Sequence, residues 1–284
     1  MSALDTARTR NDVRERVGRW RRAGQVVGLV PTMGALHEGH AALVRRARSA
    51  CDRVVVSLFV NPTQFGPNED FDRYPRQEES DRALLEGIGA DLLFAPSVQE
   101  IYPPEDATRV VVGSVAEPME GEHRPGFFAG VATVCTRLFA LVAPDRAFFG
   151  EKDWQQLLVV RRLVEDLGFA LTIEAVPTVR EPDGLALSSR NAYLSPSERA
   201  VAPLLYRCLV EAAEALAAGE AFAPVRERAV QRLRRAGFAN PDYLDLRDEL
   251  TLAPLESARP GARLFIAARL GATRLIDNLA VTGA

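Results

Sequence analysis

The first part of the chain alternates short apolar runs with segments whose apolar residues recur every three or four positions. Short apolar runs between turn residues are typical of buried strands, whereas the longer period is typical of amphipathic helices. The sequence therefore predicts strands at 25–34, 53–60, 90–96, 108–113, 145–150 and 170–179. It predicts helices between them at 40–52, 78–89, 130–143 and 153–168.

These strands are apolar on both faces and are separated by helices. Parallel strands need long crossover connections, and both faces of such a sheet are covered by the crossover helices. We therefore expect an α/β domain with a doubly wound parallel sheet over residues 1–179.

The pattern changes after about Val179. A polar loop, "REPDGLALSSRN", leads to two helical runs near 195–218 and 222–236, and then to three strand-like segments, "DYLDLRD", "ARLFIAARLG" and "TRLIDNLAVT". Helices followed by strands predict a smaller α+β domain over residues 180–284. The chain contains no internal repeat and no low-complexity tract.

Composition excludes several classes of protein. The 284 residues are 47% hydrophobic and 26% charged, with a formal net charge of −3, so neither nucleic acid nor a membrane is an expected partner. The N-terminus is too charged for a signal peptide, and "VVVSLFV" is too short to span a bilayer. Three distant cysteines without a CxxC pair argue against a disulfide framework or a zinc ribbon. We expect a reduced, cytoplasmic, globular protein.

Four polar clusters follow predicted strands or begin the interdomain loop: "MGALHEGH", "NPTQF", "GEKDWQQ" and "LSSRN". Ligands of open parallel sheets bind at the carboxyl ends of the strands, and three of these clusters lie at such ends. Their number favours a shared ligand site over coincidence. No G-x-x-x-x-G-K-[ST] motif is present, so the chain is not a P-loop enzyme.

Two of the three histidines in the chain, His37 and His40, fall in the first cluster between and after two glycines. Gly34 and Gly39 allow close approach of the backbone to a ligand, and a helix starting near His40 would offer N–H groups to a phosphate. The imidazoles could donate hydrogen bonds or a proton. Capping or core histidines are the alternative. HEGH is not H-E-x-x-H, so a zinc site is a weaker hypothesis still.

Lysine supplies only one of the 35 basic side chains, Lys152, and arginine supplies the rest. A flexible ammonium where a strand meets a helix suits a polyphosphate, although a surface lysine is the alternative. Gln64 and Gln156 carry neutral amides that can both donate and accept, which suits a small hydroxy acid. Ser188, Ser189 and Arg190 are weak evidence alone, because serine-rich loops are common.

The segments "PTMGALHEGH", "FVNPTQF", "YPR", "FGEKDWQQL" and "DGLALSSRN" together resemble the signature segments of the pantothenate synthetase (pantoate–β-alanine ligase) family, in order and spacing. The resemblance runs from about residue 25 to the end, where "YLDLRD" and "RLIDN" also match. The family belongs to the HIGH-motif nucleotidyltransferases, with "HEGH" in place of HIGH and "LSSRN" in place of the KMSKS loop. It implies a Rossmann-like first domain and a C-terminal domain that covers the active site.

The resemblance also implies a reaction. The carboxylate of pantoate attacks the α-phosphate of Mg²⁺-bound ATP, which gives pantoyl adenylate and pyrophosphate. β-Alanine then attacks the acyl carbon, which gives pantothenate and AMP. The cofactors implied are ATP and Mg²⁺, with no protein ligand for the metal identified, and relatives are homodimers.

The same resemblance assigns roles to residues. It makes His40 the proton donor, with His37 and Lys152 beside it as catalytic residues, and it gives pantoate to Gln64 and Gln156, with Gln64 also near β-alanine. The residues it implies for ATP are Met33, Gly34, Ala35, Leu36, His37, Glu38, Gly39, His40, Gly150, Glu151, Lys152, Asp153, Val179, Leu187, Ser188, Ser189 and Arg190.

The sequence departs from the family in one place, where "RPGFF" puts Phe127 at a position that is histidine in many relatives. Two other functions stay open: a nucleotidyltransferase that keeps the nucleotide on its product, and a catalytically silent nucleotide-binding module. The polar segment 66–80 beyond Gln64 is as consistent with a mobile cover over the adenylate as with an ordinary surface loop.

Overall fold

The computed structural model describes residues 4–67 and 69–282, and the chain divides into two compact units. The N-terminal unit comprises Met1–Ala116, Glu120–Glu151 and Gln155–Pro177. The C-terminal unit comprises Thr178–Ala284 together with two short segments from earlier in the chain, Glu117–Met119 and Lys152–Trp154. Lys152 thus belongs to the C-terminal unit, although the strand that precedes it in the chain, which ends at Gly150, belongs to the N-terminal unit.

The N-terminal unit is built on a parallel sheet of six strands within the described residues, in the order β1-β4-β3-β2-β5-β6. Every strand pair is parallel, as the doubly wound prediction requires, and the α/β fold class is confirmed. The strands are β1 (Asp5–Ala7), β2 (Val27–Thr32), β3 (Arg53–Leu58), β4 (Leu92–Phe94), β5 (Arg146–Gly150) and β6 (Thr172–Val176).

Helices connect these strands and bury their apolar faces on the sheet. Side chains of β2, β3 and β5 such as Val30, Val56 and Phe148 are fully buried and form one cluster with Val44 and Leu85 from the helices. The helices are α1 (Arg10–Arg22), α2 (Glu38–Ala50), α3 (Glu78–Ile88), α4 (Val98–Ile101), α5 (Glu120–His123), α6 (Phe127–Val142) and α7 (Trp154–Asp166).

The C-terminal unit packs helices on an antiparallel sheet of order β7-β8-β9. Its apolar core includes Leu205, Leu209, Leu264 and Ile266, which are almost completely buried. The predicted α+β class is confirmed for this part of the chain. Its elements are α8 (Pro196–Val201), α9 (Leu204–Ala217), α10 (Phe222–Arg235), β7 (Tyr243–Asp248), β8 (Ala262–Leu270) and β9 (Thr273–Ala280).

The prediction of a strand at 108–113 is wrong. The segment has no strand partner among the described residues, and Val111 is 77% exposed. The edges of the sheet are formed by β1 and β6, and the backbone N–H of Val110 instead donates to the hydroxyl of Thr133 at 3.0 Å. β-Branched residues favour a strand only where a neighbour is available to pair with.

The single helix predicted at 195–218 is two helices, α8 and α9. Pro203 lies at the junction, where its missing N–H and its ring prevent a continuous helix. The first strand and the first helix, β1 and α1, were not predicted, because three residues are too few to show a strand pattern and α1 buries only Val13 and Val17. No helix within residues 4–67 and 69–282 is long and apolar enough to cross a membrane.

Candidate active site

The chain changes direction in the sheet between β2 and β5. From β2 it adds β3 and β4 on one side, and it then returns to place β5 on the other side of β2. Ligands of doubly wound folds bind beyond the carboxyl ends of the strands at such a switch point. Here those ends lead into Met33–His40 after β2 and into Gly150–Asp153 after β5. Two of the predicted clusters therefore follow neighbouring strands.

The turn after β2 is held in an unusual backbone conformation by a buried carboxylate. Gly34 and Ala35 both have positive φ values, 87° and 51°. Asp81 of α3 is 1% exposed and accepts the N–H of Ala35 at 2.9 Å and that of Leu36 at 2.7 Å. A Cβ at Gly34 would lie 3.1 Å from this carboxylate, so glycine permits the close approach. Asp81 thus fixes the backbone that leads to His37.

His37 and His40 cap helix α2 reciprocally. The Nδ1 atom of His37 accepts the N–H of Gly39 at 3.1 Å, and Nδ1 of His40 accepts the N–H of His37 at 3.3 Å. Their ring centroids are 4.2 Å apart. The sequence predicted a helix start near His40, whereas the helix begins at Glu38. The N–H of Gly39, one of those expected to face a phosphate, instead donates to Nδ1 of His37.

The capping bonds determine which nitrogen of each ring carries hydrogen. A nitrogen that accepts a backbone N–H has no hydrogen of its own, so the neutral rings of His37 and His40 carry it on Nε2. Capping and ligand binding are therefore compatible, since each ring uses one nitrogen for the backbone and keeps an N–H donor on the other. The capping role that the sequence left open therefore accounts for Nδ1 of each ring and not for Nε2.

Glu38 lies on the exposed side of α2, and its carboxylate forms an ion pair with Arg45. The hydrogen bond from the Arg45 guanidinium holds the pKa of Glu38 below its usual value. Glu38 is one of the residues predicted to bind ATP. Because its carboxylate already has a cationic partner, its backbone is better suited to contact ATP than its side chain.

Gln64 is held by hydrogen bonds from two directions. It ends a short 3-10 helix, Pro62–Gln64, just after β3. Its Oε1 accepts from Nδ2 of Asn61 at 2.9 Å, and its Nε2 lies 3.0 Å from the Met33 sulfur. The structure therefore brings together Met33, predicted for ATP, and Gln64, predicted for pantoate.

Asn61 is 1% exposed and is itself enclosed by polar contacts. Its Oδ1 accepts from the hydroxyl of Tyr102 at 2.7 Å and from that of Thr63 at 3.0 Å, while its Nδ2 also donates to the carbonyl of Gly130 at 3.1 Å. Burial raises the pKa of Tyr102, so its phenol stays protonated and keeps donating. These contacts form a polar network behind Gln64.

Gln156 lies in the first turn of α7, half-buried, and its amide forms no hydrogen bond with the described part of the chain. Its neighbour Gln155 has a structural role. The Gln155 side chain donates to the carbonyl of Val115 at 3.0 Å and accepts the N–H of Glu120 at 3.2 Å. Of the two adjacent glutamines, Gln156 is the one whose amide is available for a ligand.

Lys152 lies in a 3-10 helix, Glu151–Asp153, directly after β5. Its side chain is 18% exposed, and its ammonium is 4.0 Å from the carboxylate of Asp153, which is the limit of an ion pair. The side chain of Asp153 is 45% exposed and has no bond to the following helix among the described contacts. A largely buried ammonium with so weak a partner is suited to binding an anion.

The remaining predicted residues lie in the C-terminal unit. Val179 and Leu187 face each other in a small hairpin, where the N–H of Leu187 donates to the carbonyl of Val179 at 3.0 Å. Ser188 then caps a 3-10 helix, Ser189–Tyr193, because its hydroxyl accepts the N–H of Arg190 at 3.3 Å. These two bonds within the loop help to order it.

Phe127 stacks on an arginine. The guanidinium of Arg124 lies 3.7 Å from the Phe127 ring centroid and donates to both oxygens of Glu69 at 2.7 Å. Glu69 belongs to the segment 66–80, of which residue 68 lies outside the described residues. The segment is thus tied to Arg124, directly after α5, while its closure over an intermediate stays a prediction.

None of the three cysteines is suited to nucleophilic chemistry. Burial raises the pKa of Cys135 to about 12 and those of Cys51 and Cys208 to about 11, and all three are free thiols. Within residues 4–67 and 69–282, no group of three His, Cys, Asp or Glu side chains could hold a metal ion.

Three residues at these sites were missed by the sequence reasoning. Asn61 was included in the cluster "NPTQF" without a role of its own, and neither Asp81 nor Tyr102 was singled out. Asp81 and Tyr102 lie 45 and 41 positions from the residues whose atoms they bond, Leu36 and Asn61. No local pattern signals such long-range contacts.

Comparison with known proteins supports the resemblance. The family profile of pantoate–β-alanine ligase matches residues 5–280. The pantothenate synthetase of Rhizorhabdus wittichii is 56% identical over 278 residues, which cover 98% of this chain and 99% of that protein. The pantothenate synthetase of Thermus thermophilus is 57% identical over 256 residues, which cover 90% of this chain and 93% of that protein.

Solved structures agree. A crystal structure of pantothenate synthetase from Thermus thermophilus superposes with a TM-score of 0.93 at 53% identity, covering 98% of this chain and 99% of that one. The pantoate–β-alanine ligase of Francisella tularensis, complexed with β-γ ATP and β-alanine, gives a TM-score of 0.84 at 34% identity over 98% of each chain. The chain therefore belongs to the pantoate–β-alanine ligase family, whose enzymes condense pantoate with β-alanine to pantothenate through a pantoyl adenylate, with ATP converted to AMP and pyrophosphate.

Proposed function

We propose that the paired imidazoles His37 and His40 and the ammonium of Lys152 act on the phosphates of ATP in this reaction. The observation that carries the proposal is the reciprocal capping of the two histidines, which assigns their ring hydrogens to Nε2. Each ring then offers a donor while its other nitrogen is held by the backbone. Preorganised donors of this kind stabilise charge that develops on phosphate oxygens.

In the first step, a carboxylate oxygen of pantoate attacks the α-phosphorus, and the bond from that phosphorus to the bridging oxygen of the β-phosphate breaks. Negative charge grows on the leaving pyrophosphate and on the oxygens around phosphorus. His40 donates a hydrogen bond from Nε2 to these oxygens, with His37 beside it. A neutral ring whose Nδ1 accepts a backbone N–H has no proton to give up, so the proton-donor role that the resemblance implies for His40 is not part of this proposal. Lys152 supplies a compact positive charge that can follow the oxygens as they move.

We assign pantoate to Gln64 and Gln156. Gln64 faces the network of Asn61 with its carbonyl end, and its Nε2 end suits the carboxylate and hydroxyl oxygens of pantoate. In the second step, the amine of β-alanine attacks the acyl carbon, the mixed anhydride breaks, and AMP leaves with the electron pair on its phosphate oxygen. Gln64 also lies near β-alanine in this proposal.

ATP binding is assigned to the residues that the resemblance implies, which are Met33–His40, Gly150–Asp153, Val179 and Leu187–Arg190. The ligand named for the Francisella tularensis enzyme, β-γ ATP, supports ATP as the nucleotide. Residues 1–179 would then bind both nucleotide and pantoate.

Mg²⁺ is proposed to enter with the triphosphate. The described residues contain no cluster of three metal-ligating side chains, and Mg²⁺ is commonly held by substrate phosphates and water with few protein ligands. When bound, it would neutralise charge on the phosphates, as His37, His40 and Lys152 do from the protein side.

The experiment that tests the proposal mixes enzyme with ATP and pantoate and omits β-alanine. We expect up to about one pyrophosphate per site in a burst, with pantoyl adenylate detected by mass. Pyrophosphate release that depends strictly on β-alanine would contradict the two-step order. A stable nucleotidyl product that β-alanine does not consume would instead indicate a nucleotidyltransferase.

A homodimer and a cytoplasmic location are proposed on the family resemblance and on the composition respectively. Sedimentation at micromolar concentration tests the first, with a mass near twice 31.1 kDa expected. Cell fractionation tests the second.

A further inference from the structure

The segment Lys152–Trp154 is anchored by Glu249, which follows β7, and by residues of β8 and β9. Trp154 donates from its indole N–H to the carbonyl of Glu249 at 2.7 Å, and the guanidinium of Arg263 lies 3.5 Å from the centroid of its ring. Arg263 belongs to β8, at the centre of the antiparallel sheet. The residue after the proposed phosphate-binding segment is therefore fixed to this sheet.

Asn278 of β9 holds Lys152 itself. Its Nδ2 donates to the backbone carbonyl of Lys152 at 2.9 Å, and its Oδ1 accepts from Nη1 of Arg263 at 2.7 Å. A guanidinium can only donate and a carbonyl can only accept, so the orientation of this amide is unambiguous. Asn278 is 5% exposed, so both bonds are shielded from water. The "RLIDN" motif of the sequence thus contains a direct contact to Lys152.

The neighbouring residue in the motif supports the loop that leads to Ser188. Asp277, 4% exposed, accepts both guanidinium nitrogens of Arg180, at 2.6 and 2.9 Å. Arg180 pairs with Ala186 across the small hairpin. Successive side chains of a strand point to opposite faces, so β9 can hold one segment on each side. The same strand, β9, thus contacts both Lys152 and the loop before Ser188.

We propose that Asn278 is a positioning residue for Lys152 in the adenylation step. The inference rests on the proposed function, in which the Lys152 ammonium stabilises charge on the ATP phosphates. That ammonium stands at the end of a flexible four-carbon chain, so the position of the Lys152 backbone decides which phosphate oxygens it can reach. Small displacements of a catalytic group lower rates strongly, because alignment supplies much of the acceleration. Asn278 touches no reacting atom and acts by fixing that backbone.

The test variant is Asn278→Asp, which keeps the side-chain shape and the acceptor for Arg263 and replaces only the donor to Lys152. A carboxylate oxygen would then face the Lys152 carbonyl and push the segment away. We expect the single-turnover rate of pantoyl adenylate formation to fall roughly tenfold or more. The Kd for pantoate should stay within about twofold of its original value, since pantoate is assigned to other residues.

The matched control is Asp242→Asn, which weakens an ion pair of 2.7 Å with Arg274 on the same strand and does not touch Lys152. Its adenylation rate should be unchanged. If it falls as far as that of Asn278→Asp, general disturbance of β9 explains both results and the proposal is wrong.

A double-mutant cycle with Lys152→Ala decides whether Asn278 acts through Lys152. If it does, adding Asn278→Asp to Lys152→Ala costs no further rate, because the group to be positioned is already absent. A multiplicative loss would overturn the proposal. Should Asn278→Asp not fold, Asn278→Ala enters the same cycle with the same expectation. A normal rate for Lys152→Ala alone would contradict the proposed function, and is thereby distinguished from failure of this inference.

Discussion

Asn61 donates a hydrogen bond from Nδ2 to Oε1 of Gln64 at 2.9 Å, and this contact determines which end of the Gln64 amide a ligand meets. The orientation of Asn61 is fixed, since its Oδ1 accepts the backbone N–H of Thr63 at 3.3 Å and its Nδ2 donates to the carbonyl of Gly130 at 3.1 Å. Gln64 must therefore turn its acceptor toward Asn61 and its NH₂ group away. In the proposed pantoate site, Gln64 therefore acts as a donor, although its side chain could serve as either.

Asn61→Asp should reverse this arrangement. The new carboxylate cannot donate to Gln64, and it would favour rotation of the Gln64 amide so that Nε2 turns inward. The oxygens of pantoate would then face an acceptor. We expect the Kd for pantoate to rise roughly 10–100-fold, which corresponds to the loss of a hydrogen bond to a charged group. Titration calorimetry with pantoate measures the change, and an unaltered Kd would show that the polarity of Gln64 does not matter.

Tyr102→Phe serves as the graded control for that experiment. It removes one donor to Oδ1 of Asn61 and leaves Thr63 to hold the same atom. The orientation of Asn61 should survive, so the Kd for pantoate should rise by less than in Asn61→Asp. A larger effect of Tyr102→Phe would indicate that the phenol acts on pantoate by another route.

Gly130→Ala should disrupt the same region by overpacking. A Cβ at Gly130 would lie 2.3 Å from the carbonyl oxygen of Thr63 and 2.8 Å from Cα of Gln64, so helix α6 and the turn before Gln64 would have to separate. We expect a loss of about 1–3 kcal/mol or more in the free energy of unfolding, together with weaker pantoate binding. Urea unfolding and calorimetry measure the two effects.

Gly87→Ala is the matched control, because Gly87 also lies inside a helix, α3, where a Cβ would meet nothing within 4 Å. Alanine there should stabilise the protein by about 0.5–1 kcal/mol and leave pantoate binding unchanged. Equal destabilisation by the two substitutions would mean that the close contact at Gly130 is not the cause.

Much of the fold could be predicted from the sequence. A strand that is buried on both faces of a sheet has a continuous apolar run, such as 53–60, and this pattern is uncommon in other elements. The same runs mislead at 108–113, where three valines have strand propensity without a neighbouring strand. Sequence patterns report what a segment prefers by itself, whereas a strand also requires an edge with free hydrogen-bonding groups. Residues 108–113 pair with neither of the two edge strands, β1 and β6.

The candidate site was predictable in its reactive groups and not in their supports. His37, His40 and Lys152 are rare residue types in this chain, so their placement after strands attracts attention from the sequence alone. Asp81 and Asn278 are ordinary by frequency. Their partners lie 45 and 126 positions away in the chain, and only the folded backbone brings such pairs within hydrogen-bond distance.

Glu69→Gln should loosen the segment 66–80. Glu69 forms two bonds of 2.7 Å with Arg124, whose guanidinium is also stacked on Phe127. A neutral amide can accept only one of them well, so amide hydrogen exchange in the segment should become faster. If the segment also shields the adenylate, the variant should form more AMP per pantothenate, because water reaches the mixed anhydride. Faster exchange without extra AMP would indicate an ordinary surface loop.

Lys152→Arg is the sharpest test of why one lysine stands among so many arginines. The side chain is 18% exposed and has only a 4.0 Å contact with Asp153, so it is not held for an ion pair within the protein. An ammonium is a compact charge that can follow phosphate oxygens toward the transition state, whereas a guanidinium is a wide planar fork with fixed donors. We therefore expect Lys152→Arg to lose most of the adenylation rate although it keeps the charge.

Lys152→Ala sets the scale for that loss and should be on the order of 10²–10³-fold slower, as for removal of one transition-state donor. Both variants should lower kcat more than they weaken pantoate binding, because pantoate is assigned to Gln64 and Gln156. Single-turnover formation of pantoyl adenylate is the measurement. If Lys152→Arg retains a nearly normal rate, positive charge alone is sufficient at this position, and the shape of the ammonium has no part in catalysis.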